Sequence, residues 1–454
     1  MTVGAGPVRV AVVGAGPAGL FAADALVGQF DVAVDVDLIE KLPTPYGLVR
    51  YGVAPDHPSI KSVVGTLQGI LEHERVRFVG GVEFGRDIGR GDLLECYDAV
   101  VYATGAPADR RLGIAGEDLP GSISATEFVA WYNGHPDFEP GFPLDAESVA
   151  VIGAGNVALD VARILVRPWE HLAVTDVPAP VLARLGQNRA REVHVIGRRG
   201  PEHAKFSSKE LRELGLIGEI DRVVCPGELA GAGEPGLDRR TRANLDVLKG
   251  WSGQAPRPGA RKVAFRFFRR PAEIIGRTRV EALVLERIAV DGSGNAAGTG
   301  EFETIPVQLL VRAVGYRSVA LPGLPFDGGA GVIPNDAGRV LDAAGVPLPG
   351  EYVAGWLKRG PTGVIGTNKS DARETVSALL QDVAAKGPGQ AAGRRIEDVL
   401  AARPAPWTDY AGWQRIDDAE RSRGAGEGRL RSKIPDWATL SDLALRVSAE
   451  PPTS

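Results

Sequence analysis

The chain has 454 residues, of which 44% are hydrophobic and 24% are charged, and its formal net charge at pH 7 is −5. This length exceeds one ordinary domain and favours two or three, with enough apolar residues to bury full cores. A net negative charge argues against a general nucleic-acid-binding protein, because neutralising phosphates requires clustered positive charge. We therefore expect a globular, multidomain protein without a nucleic-acid partner.

The cysteines and the apolar N-terminal stretch indicate the compartment. Cys96 and Cys225 are far apart and form neither a C-x-x-C pair nor a metal-ligand spacing, which predicts partly buried free thiols, no metal site and a reducing environment. The uncharged stretch 10–23 contains glycines and a proline and is too short for a membrane span. We expect a cytoplasmic protein without stable membrane insertion, as a monomer or weak dimer.

Two βαβ patterns organise the chain. Each one has a β-branched run, a glycine-rich turn, a helical stretch and a second apolar run. The predicted elements are 8–13, 17–27 and 32–39 in the first pattern, and 148–153, 154–166 and 192–197 in the second. Further buried strand ends are predicted at 98–105, 309–315 and 351–355, and exposed loops or linkers at 226–235, 291–300 and 387–393, with fraying at 449–454.

The first glycine-rich turn has the spacing of a dinucleotide site. Gly14 permits a tight turn, Gly16 allows a pyrophosphate to approach the backbone, and Gly19 allows the helix to pack closely on the sheet. Glu40 ends the next strand, where its carboxylate can accept hydrogen bonds from a ribose. An acidic residue at this point favours the unphosphorylated adenosine of FAD or NAD.

The second turn repeats the spacing but ends in the opposite charge. Gly153, Gly155 and Ala158 open a helix, and the following strand ends in Arg198 and Arg199 instead of an acid. Two guanidinium groups can bind a ribose 2′-phosphate through charge-assisted, forked hydrogen bonds, although an exposed arginine pair is also common on surfaces. The sequence therefore favours NADP at the second site, and one FAD site with one NADP site describes a flavin reductase.

These residues resemble the adrenodoxin reductase family of ferredoxin–NADP⁺ reductases, within the glutathione-reductase-like flavoproteins that carry two dinucleotide-binding domains. The resemblance covers roughly residues 8 to 445, and its most specific stretch is 355–369. The other segments that carry it are 45–58, 153–160, 197–201 and 206–213.

The resemblance implies an α/β fold of two Rossmann-like domains, with the NADP domain inserted into the FAD domain. The FAD domain would comprise 1–106 and 326–454, and the NADP domain 107–325. The implied enzyme is an FAD-dependent NADPH:ferredoxin oxidoreductase that takes hydride from NADPH and delivers single electrons to a ferredoxin-type iron–sulfur protein.

The resemblance also implies the roles of individual residues. The FAD site would contain Gly14, Gly16, Pro17, Ala18, Gly19, Glu40, Lys41, Leu48, Val82, Trp356, Gly363, Val364 and Ile365. The NADP site would contain Gly153, Gly155, Asn156, Val157, Arg198, Arg199 and Glu210. His57 and Glu213 would form a catalytic pair near the point where flavin and nicotinamide meet.

Several of these residues have a simpler interpretation. His57 can be a structural hydrogen-bonding residue, since hydride transfer to a flavin needs no general base. Glu213 would by default be a solvated helix acid, and Trp356 a packing residue, although its flanking glycines favour flavin stacking.

Basic residues suggest a docking surface for an acidic ferredoxin on this net-acidic chain. The first cluster is Arg239, Arg240 and Arg242, and the second is Arg261, Lys262, Arg266, Arg269 and Arg270. A solvated face remains the alternative for both clusters, more so for the second.

Four other functions stay open. A pyridine nucleotide–disulfide reductase would need an active-site cysteine pair, which the distance between the two cysteines disfavours. The electron-input subunit of a larger synthase would usually carry cysteine-ligated clusters. A flavin monooxygenase-like enzyme would show substrate-dependent oxygen consumption. A non-enzymatic nucleotide-sensing flavoprotein would bind NADPH but reduce no acceptor at a useful rate.

Overall fold

The structure is a computed structural model that describes residues 6–138, 141–230, 236–290, 295–386, 394–403 and 406–445. The linker predicted at 387–393 and the fraying predicted at 449–454 lie outside these residues, as do parts of the loops predicted at 226–235 and 291–300.

Strands and helices largely alternate between residues 8 and 266, as the two βαβ patterns predicted, whereas the elements of the described residues are all strands from 267 to 353 and all helices from 356 to 445. The strands are β1 Val8–Val13, β2 Val34–Glu40, β3 Val76–Gly80, β4 Ala99–Tyr102, β5 Ala108–Asp109, β6 Ser122–Ser124, β7 Ser148–Ile152, β8 Glu192–Ile196, β9 Ile220–Val224, β10 Arg261–Arg266, β11 Arg269–Ile275, β12 Ala282–Val290, β13 Ala296–Pro306, β14 Leu309–Arg312, β15 Tyr316–Arg317, β16 Asn335–Asp336, β17 Arg339–Leu341 and β18 Pro347–Val353. The helices are α1 Pro17–Val27, α2 Leu48–Tyr51, α3 Pro58–Lys61, α4 Val64–Leu71, α5 Arg90–Cys96, α6 Ala125–Tyr132, α7 Asn156–Val166, α8 Ala179–Leu185, α9 Ser208–Gly215, α10 Arg239–Trp251, α11 Trp356–Arg359, α12 Thr367–Lys386, α13 Ile396–Ala401, α14 Tyr410–Gly426 and α15 Trp437–Leu445. Short 3₁₀ helices lie at Trp169–His171, Pro201–His203 and Pro226–Glu228.

The chain forms two compact units. The first comprises 1–108 and 316–454, and the second comprises 109–315. The chain leaves the first unit close to the predicted boundary at 106/107. It returns earlier than the predicted boundary at 325/326, because the segment from Tyr316 onward already packs with the first unit.

The first unit is built on a seven-stranded sheet in the order β16-β17-β18-β4-β1-β2-β3. Strands β18, β4, β1, β2 and β3 pair in parallel in this order, and β3 is an edge strand. Side chains of β1 alternate between two hydrophobic clusters, with Val10 and Val12 in one and Ala11 and Val13 in the other. Burial on both faces explains the continuous apolar runs, since central strands of parallel sheets are covered by helices on each side.

The second unit has a six-stranded sheet in the order β6-β14-β7-β8-β10-β9, and an antiparallel three-stranded sheet of β11, β12 and β13. One part of the prediction was wrong here. The Gly/Ala-rich residues 296–300, expected in a loop, belong to β13, where Ala296 pairs with Val290. Hydrogen bonding to β12 outweighs the weak strand preference of glycine and alanine.

The structure also bears on the predictions made for the cysteines, for a metal site and for a membrane span. Cys96 is buried but Cys225 is exposed, so the expectation of two partly buried thiols was wrong for Cys225. Within the described ranges, no group of three or more histidine, cysteine, aspartate or glutamate side chains could hold a metal ion. Among those same residues, no helix combines the length and the apolar character needed to cross a bilayer.

Candidate functional site: two dinucleotide turns

The first glycine-rich turn lies between β1 and α1 and requires glycine at two positions. Gly14 has φ +109°, and a Cβ there would stand 2.5 Å from the carbonyl oxygen of Ala103. A Cβ on Gly19 would lie 1.9 Å from the carbonyl oxygen of Gly14, so the helix meets the turn in direct backbone contact. At Gly16 the nearest heavy atom to such a Cβ is 3.9 Å away, which leaves its backbone open to a ligand. Pro17 is the first residue of α1, whose N-terminal peptide dipoles favour an anion.

Glu40 lies against this turn. Its Oε2 accepts a hydrogen bond from the Ala15 amide at 2.8 Å, and its Oε1 accepts one from the Leu42 amide at 3.2 Å. Burial raises the pKa of Glu40 and these two amides partly offset that rise. The carboxyl group of Glu40 is therefore held next to the backbone of the first glycine-rich turn.

Residues after Glu40 continue the same wall. The Val82 amide donates to the Glu40 carbonyl at 2.9 Å, and Val82 itself is buried. Lys41 is half-buried with its Nζ 4.0 Å from Glu83. The predicted residues Lys41 and Val82 thus flank the strand end that carries Glu40.

The segment before α2 closes over the first turn. The Tyr46 amide donates to the Ala15 carbonyl at 2.9 Å, and both Tyr46 and Gly47 have positive φ. A Cβ on Gly47 would lie 3.0 Å from the Gly16 Cα, so only glycine permits this approach without a shift. Leu48, half-buried, then begins α2.

A third segment of the first unit meets α1 from the other side. Gly355 has φ +73°, and a Cβ there would lie 2.5 Å from the Ala18 Cβ. Trp356 follows as the first residue of α11, and its indole N–H donates to the Thr362 carbonyl at 3.1 Å. Its ring centroid lies 5.1 Å from that of Tyr316.

The stretch between α11 and α12 is open to solvent. Gly363 has φ +85°, and Val364 is 72% exposed, an unusual state for a branched apolar side chain. Ile365 is half-buried beside α12. The predicted FAD residues therefore lie in the first unit, in the turn, at the end of β2 with Val82 beside it, in the Tyr46–Leu48 region and in the stretch 355–365.

The second turn, between β7 and α7, repeats the geometry of the first. Gly153 has φ +143°, and a Cβ there would stand 2.3 Å from the Ala313 carbonyl oxygen. Around Gly155, no described heavy atom lies within 4 Å of such a Cβ, so this position is open. Ala158 is buried where the first turn has its third glycine.

The start of α9 is fixed against this second turn. The Ser207 amide donates to Asn156 Oδ1 at 2.7 Å, and the Lys205 amide donates to the Ala154 carbonyl at 2.7 Å. Buried Asn244 of α10 donates from Nδ2 to the Phe206 carbonyl at 3.0 Å. Asn156 is therefore oriented by backbone, and Val157 follows it, half-buried, in the first turn of α7.

The charged residues predicted for the second site are Arg198, Arg199 and Glu210. Arg198 is exposed and Arg199 half-buried, and within the described part of the chain neither guanidinium has an ion pair or side-chain hydrogen bond. Glu210 is buried, and its Oε2 has no hydrogen-bond partner among those residues. Buried polar atoms are normally satisfied, so a hydrogen-bond donor from a bound nucleotide fits this arrangement.

His57 and Glu213 belong to different units. His57 is buried at the N-cap position of α3 in the first unit, whereas Glu213 is half-buried on α9 in the second, with Lys209 Nζ at 3.9 Å. Their catalytic pairing stays a prediction.

Sequence reasoning missed three positions that shape the two sites. Gly47 lies within the segment 45–58, but the spacing of residues along the sequence does not indicate its contact with Gly16. Asn244 and Asp371 act through backbone groups distant in sequence, which only the folded chain brings together.

Two parallel-sheet units, each with a glycine-rich dinucleotide turn and the second inserted into the chain of the first, define the class of oxidoreductases with two dinucleotide-binding domains. Residues 8–215 match the pyridine nucleotide-disulphide oxidoreductase family.

Whole-length relatives identify the branch. NADPH-ferredoxin reductase FprA of Mycobacterium tuberculosis is 46% identical over 458 residues, which cover 97% of this chain and 99% of that protein. The mitochondrial NADPH:adrenodoxin oxidoreductase of Arabidopsis thaliana is 39% identical over 462 residues, which cover 96% of this chain and 95% of that protein. The structure of M. tuberculosis FprA in complex with NADPH superposes with a TM-score of 0.92 at 45% identity, covering 97% of this chain and 100% of that one. The chain belongs to the adrenodoxin reductase-like family of NADPH–ferredoxin reductases.

Proposed function

We propose that this chain is an FAD-dependent NADPH:ferredoxin oxidoreductase. The observation that carries the proposal is the contrast between the two turns. Glu40 lies against the first turn, and the strand beside the second is followed by Arg198 and Arg199, which have no ion-pair partner among the residues that the structure describes. An acid suits a ribose with free hydroxyls, and two guanidinium groups suit a 2′-phosphate. The whole-length similarity to reductases named for NADPH and ferredoxin supports the same assignment.

The first unit would hold FAD. Gly14, Gly16 and the start of α1 suit the pyrophosphate, Glu40 suits the ribose, and Trp356 with the stretch 363–365 suits the flavin end. Bound FAD supplies the chemistry that links a two-electron hydride donor to one-electron acceptors. The contribution of the chain is to orient the cofactor and to shield it from water.

The second unit would hold NADPH. Gly155 offers an open backbone to the pyrophosphate, and Asn156 is already oriented by the Ser207 amide. Arg198 and Arg199 would bind the 2′-phosphate, and the buried Oε2 of Glu210 would accept a hydrogen bond from the nucleotide. His57 and Glu213 are proposed to act close to the reacting rings.

The acceptor would be a small, acidic ferredoxin-type iron–sulfur protein. Arg239, Arg240 and Arg242 are all exposed at the start of α10, and within the described residues none has an ion pair within 4.0 Å. Most of the second basic cluster is occupied: Lys262 pairs with Glu192, Arg266 and Arg269 with Glu303, and Arg270 with Glu286. The first cluster is therefore the better docking surface. The cytoplasmic location and the monomeric or weakly dimeric state stay predictions.

NADPH-driven reduction of cytochrome c tests the function, measured with and without an added small ferredoxin and repeated with NADH. We expect strong stimulation by ferredoxin and a clear preference for NADPH. NADPH oxidation without any stimulation by ferredoxin would remove the partner from the proposal and leave the cofactor assignments in place. Equal rates with NADH and NADPH would contradict the role of the two arginines.

Charge reversal tests the docking surface. Replacing Arg239 and Arg240 by glutamate should raise the apparent KM for ferredoxin and reduce its dependence on salt, because steering by exposed charges is screened. Charge reversal at Arg287, an exposed arginine paired with Glu301 on the three-stranded sheet, is the control. Equal changes in both variants would refute the assignment of this surface.

A further inference from the structure

We propose that Asp371 is a positioning residue for the flavin-binding stretch 355–365. The inference rests on the FAD site proposed above and adds a residue to it. Asp371 contacts one backbone amide and two cationic side chains of the protein. Asp371 lies in the second turn of α12 and is 9% exposed.

The first contact fixes a strained turn. The Gly355 amide donates to Asp371 Oδ2 at 2.5 Å, in a buried hydrogen bond. Gly355 has φ +73° and directly precedes Trp356, so the direction in which the chain enters α11 depends on this turn. A hydrogen bond from a backbone amide to a buried carboxylate is charge-assisted and is among the stronger bonds of its kind.

The second set of contacts fixes α11 itself. Lys358 Nζ lies 3.5 Å from Asp371 Oδ1, and Arg359 Nη1 lies 3.2 Å from Asp371 Oδ2. Lys358 is also buried and donates to Glu374 at 2.6 Å and to Thr375 at 3.1 Å. One carboxylate therefore binds the backbone before Trp356 and both cations after it.

The far end of the stretch is attached to the same helix. The Val364 amide donates to Thr367 Oγ1 at 3.2 Å, and Arg359 Nη2 donates to Asn368 Oδ1 at 2.9 Å. With both ends bound to the first two turns of α12, the exposed residues Gly363 and Val364 are presented at its N-terminus.

This arrangement organises the loop before the cofactor arrives. A loop that is already in its binding conformation loses less conformational entropy when the ligand binds, which raises affinity without any new contact to the ligand. Asp371 would therefore affect how tightly FAD is held and how its reactive ring is placed, and would leave the binding of NADPH by the second unit unchanged.

Asp371→Ala and Asp371→Asn test the inference in the FAD-loaded full chain, and Glu374→Ala is the matched control. Glu374 also accepts from Lys358, one turn further along α12, but makes no contact with Gly355. We expect Asp371→Ala to weaken FAD binding about tenfold or more, as loss of a charge-assisted hydrogen bond predicts. Asp371→Asn, which keeps an oxygen for the Gly355 amide, should recover part of that loss.

The readouts separate positioning from folding. At saturating FAD, Asp371→Ala should lower kcat with NADPH, shift the shape of the visible flavin absorption bands and leave the KM for NADPH unchanged. FAD affinity, spectrum and kcat equal to those of Glu374→Ala would overturn the inference. If Asp371→Ala does not fold, the flavin spectrum and kcat of Asp371→Asn are compared with those of Glu374→Ala, and equal values would again overturn the inference. Absence of FAD from the unmodified chain would instead refute the proposed function.

Discussion

Glu420 lies at the centre of a buried ion network that attaches helix α14 to the segment next to the first dinucleotide turn. It is fully buried, and its two oxygens accept hydrogen bonds from both terminal nitrogens of Arg50, at 2.5 and 3.0 Å. Arg431 donates to Oε2 at 2.8 Å, and the Ile434 amide donates to Oε1 at 2.9 Å. Arg50 belongs to α2, so the network reaches the part of the first unit that we propose to hold FAD.

Replacing Glu420 by glutamine removes the negative charge and keeps the size of the side chain. The side chain of Arg50 is only 5% exposed, so its guanidinium would stay buried with no counter-charge at hydrogen-bond distance. Breaking a buried ion pair by removing one partner costs about 3–5 kcal/mol, because the remaining charge is uncompensated. We expect Glu420→Gln to lower the free energy of unfolding of the first unit by about that amount.

Urea unfolding monitored by the release of bound flavin measures the stability of the first unit specifically. A separate signal is needed because a chain of two units need not unfold in one step. Asp418→Asn is the control, because it removes the same charge from an exposed position on the same helix and should change stability by less than about 0.5 kcal/mol. A loss below about 1 kcal/mol for Glu420→Gln would refute the reasoning and would mean that water or rearrangement compensates Arg50.

Three further predictions concern cofactor binding and acid stability. Arg199→Ala should raise the KM for NADPH about ten- to hundredfold and leave the KM for NADH unchanged, because it removes charge-assisted bonds to a group that NADH lacks; a parallel rise for NADH in steady-state kinetics would contradict this. Gly155→Ala should raise the KM for NADPH and leave the thermal midpoint of unfolding unchanged. Gly153→Ala should lower that midpoint, because only the Cβ added at Gly153 would meet backbone, at 2.3 Å. Burial alone would raise the pKa of Glu420, but Arg50 and Arg431 hold it below the usual value. A lowered folded-state pKa stabilises the fold above the unfolded value of about 4.3 and loses that effect as pH falls through the folded value. The stability gap between the unmodified chain and Glu420→Gln should therefore narrow in acid unfolding series, and a constant gap down to the lowest pH would oppose the assignment.

Local sequence predicted the elements that begin each unit. The bounds of β1 and α1 agree with the prediction, because a β-branched run, three glycines at fixed spacing and a proline at the first helical position all indicate the same boundaries. The second strand was predicted at 32–39 and lies at Val34–Glu40, a shift that brings Glu40 into the strand itself. The two-unit architecture followed from the repetition of this pattern.

Other features depend on contacts that no local pattern encodes. Residues 296–300 form a strand only because β12 supplies a partner, and α15 buries Leu440 and Ala444 in the core of the first unit. The contact of Asp371 with Gly355 joins a helix to a turn that precedes it along the chain. Spacing can place glycines and charges at a site, but it cannot identify the buried groups that hold them there.

The insertion of the second unit has a consequence for biosynthesis. In the first unit β18 pairs with β4, yet the whole of the second unit is translated between these two strands. A ribosome delivers the second unit complete while the sheet of the first still lacks β16, β17 and β18, and domains generally fold as units in the order in which they emerge. The second unit can therefore fold on the nascent chain, whereas the FAD site proposed for the first unit can form only after the last third of the polypeptide has been translated.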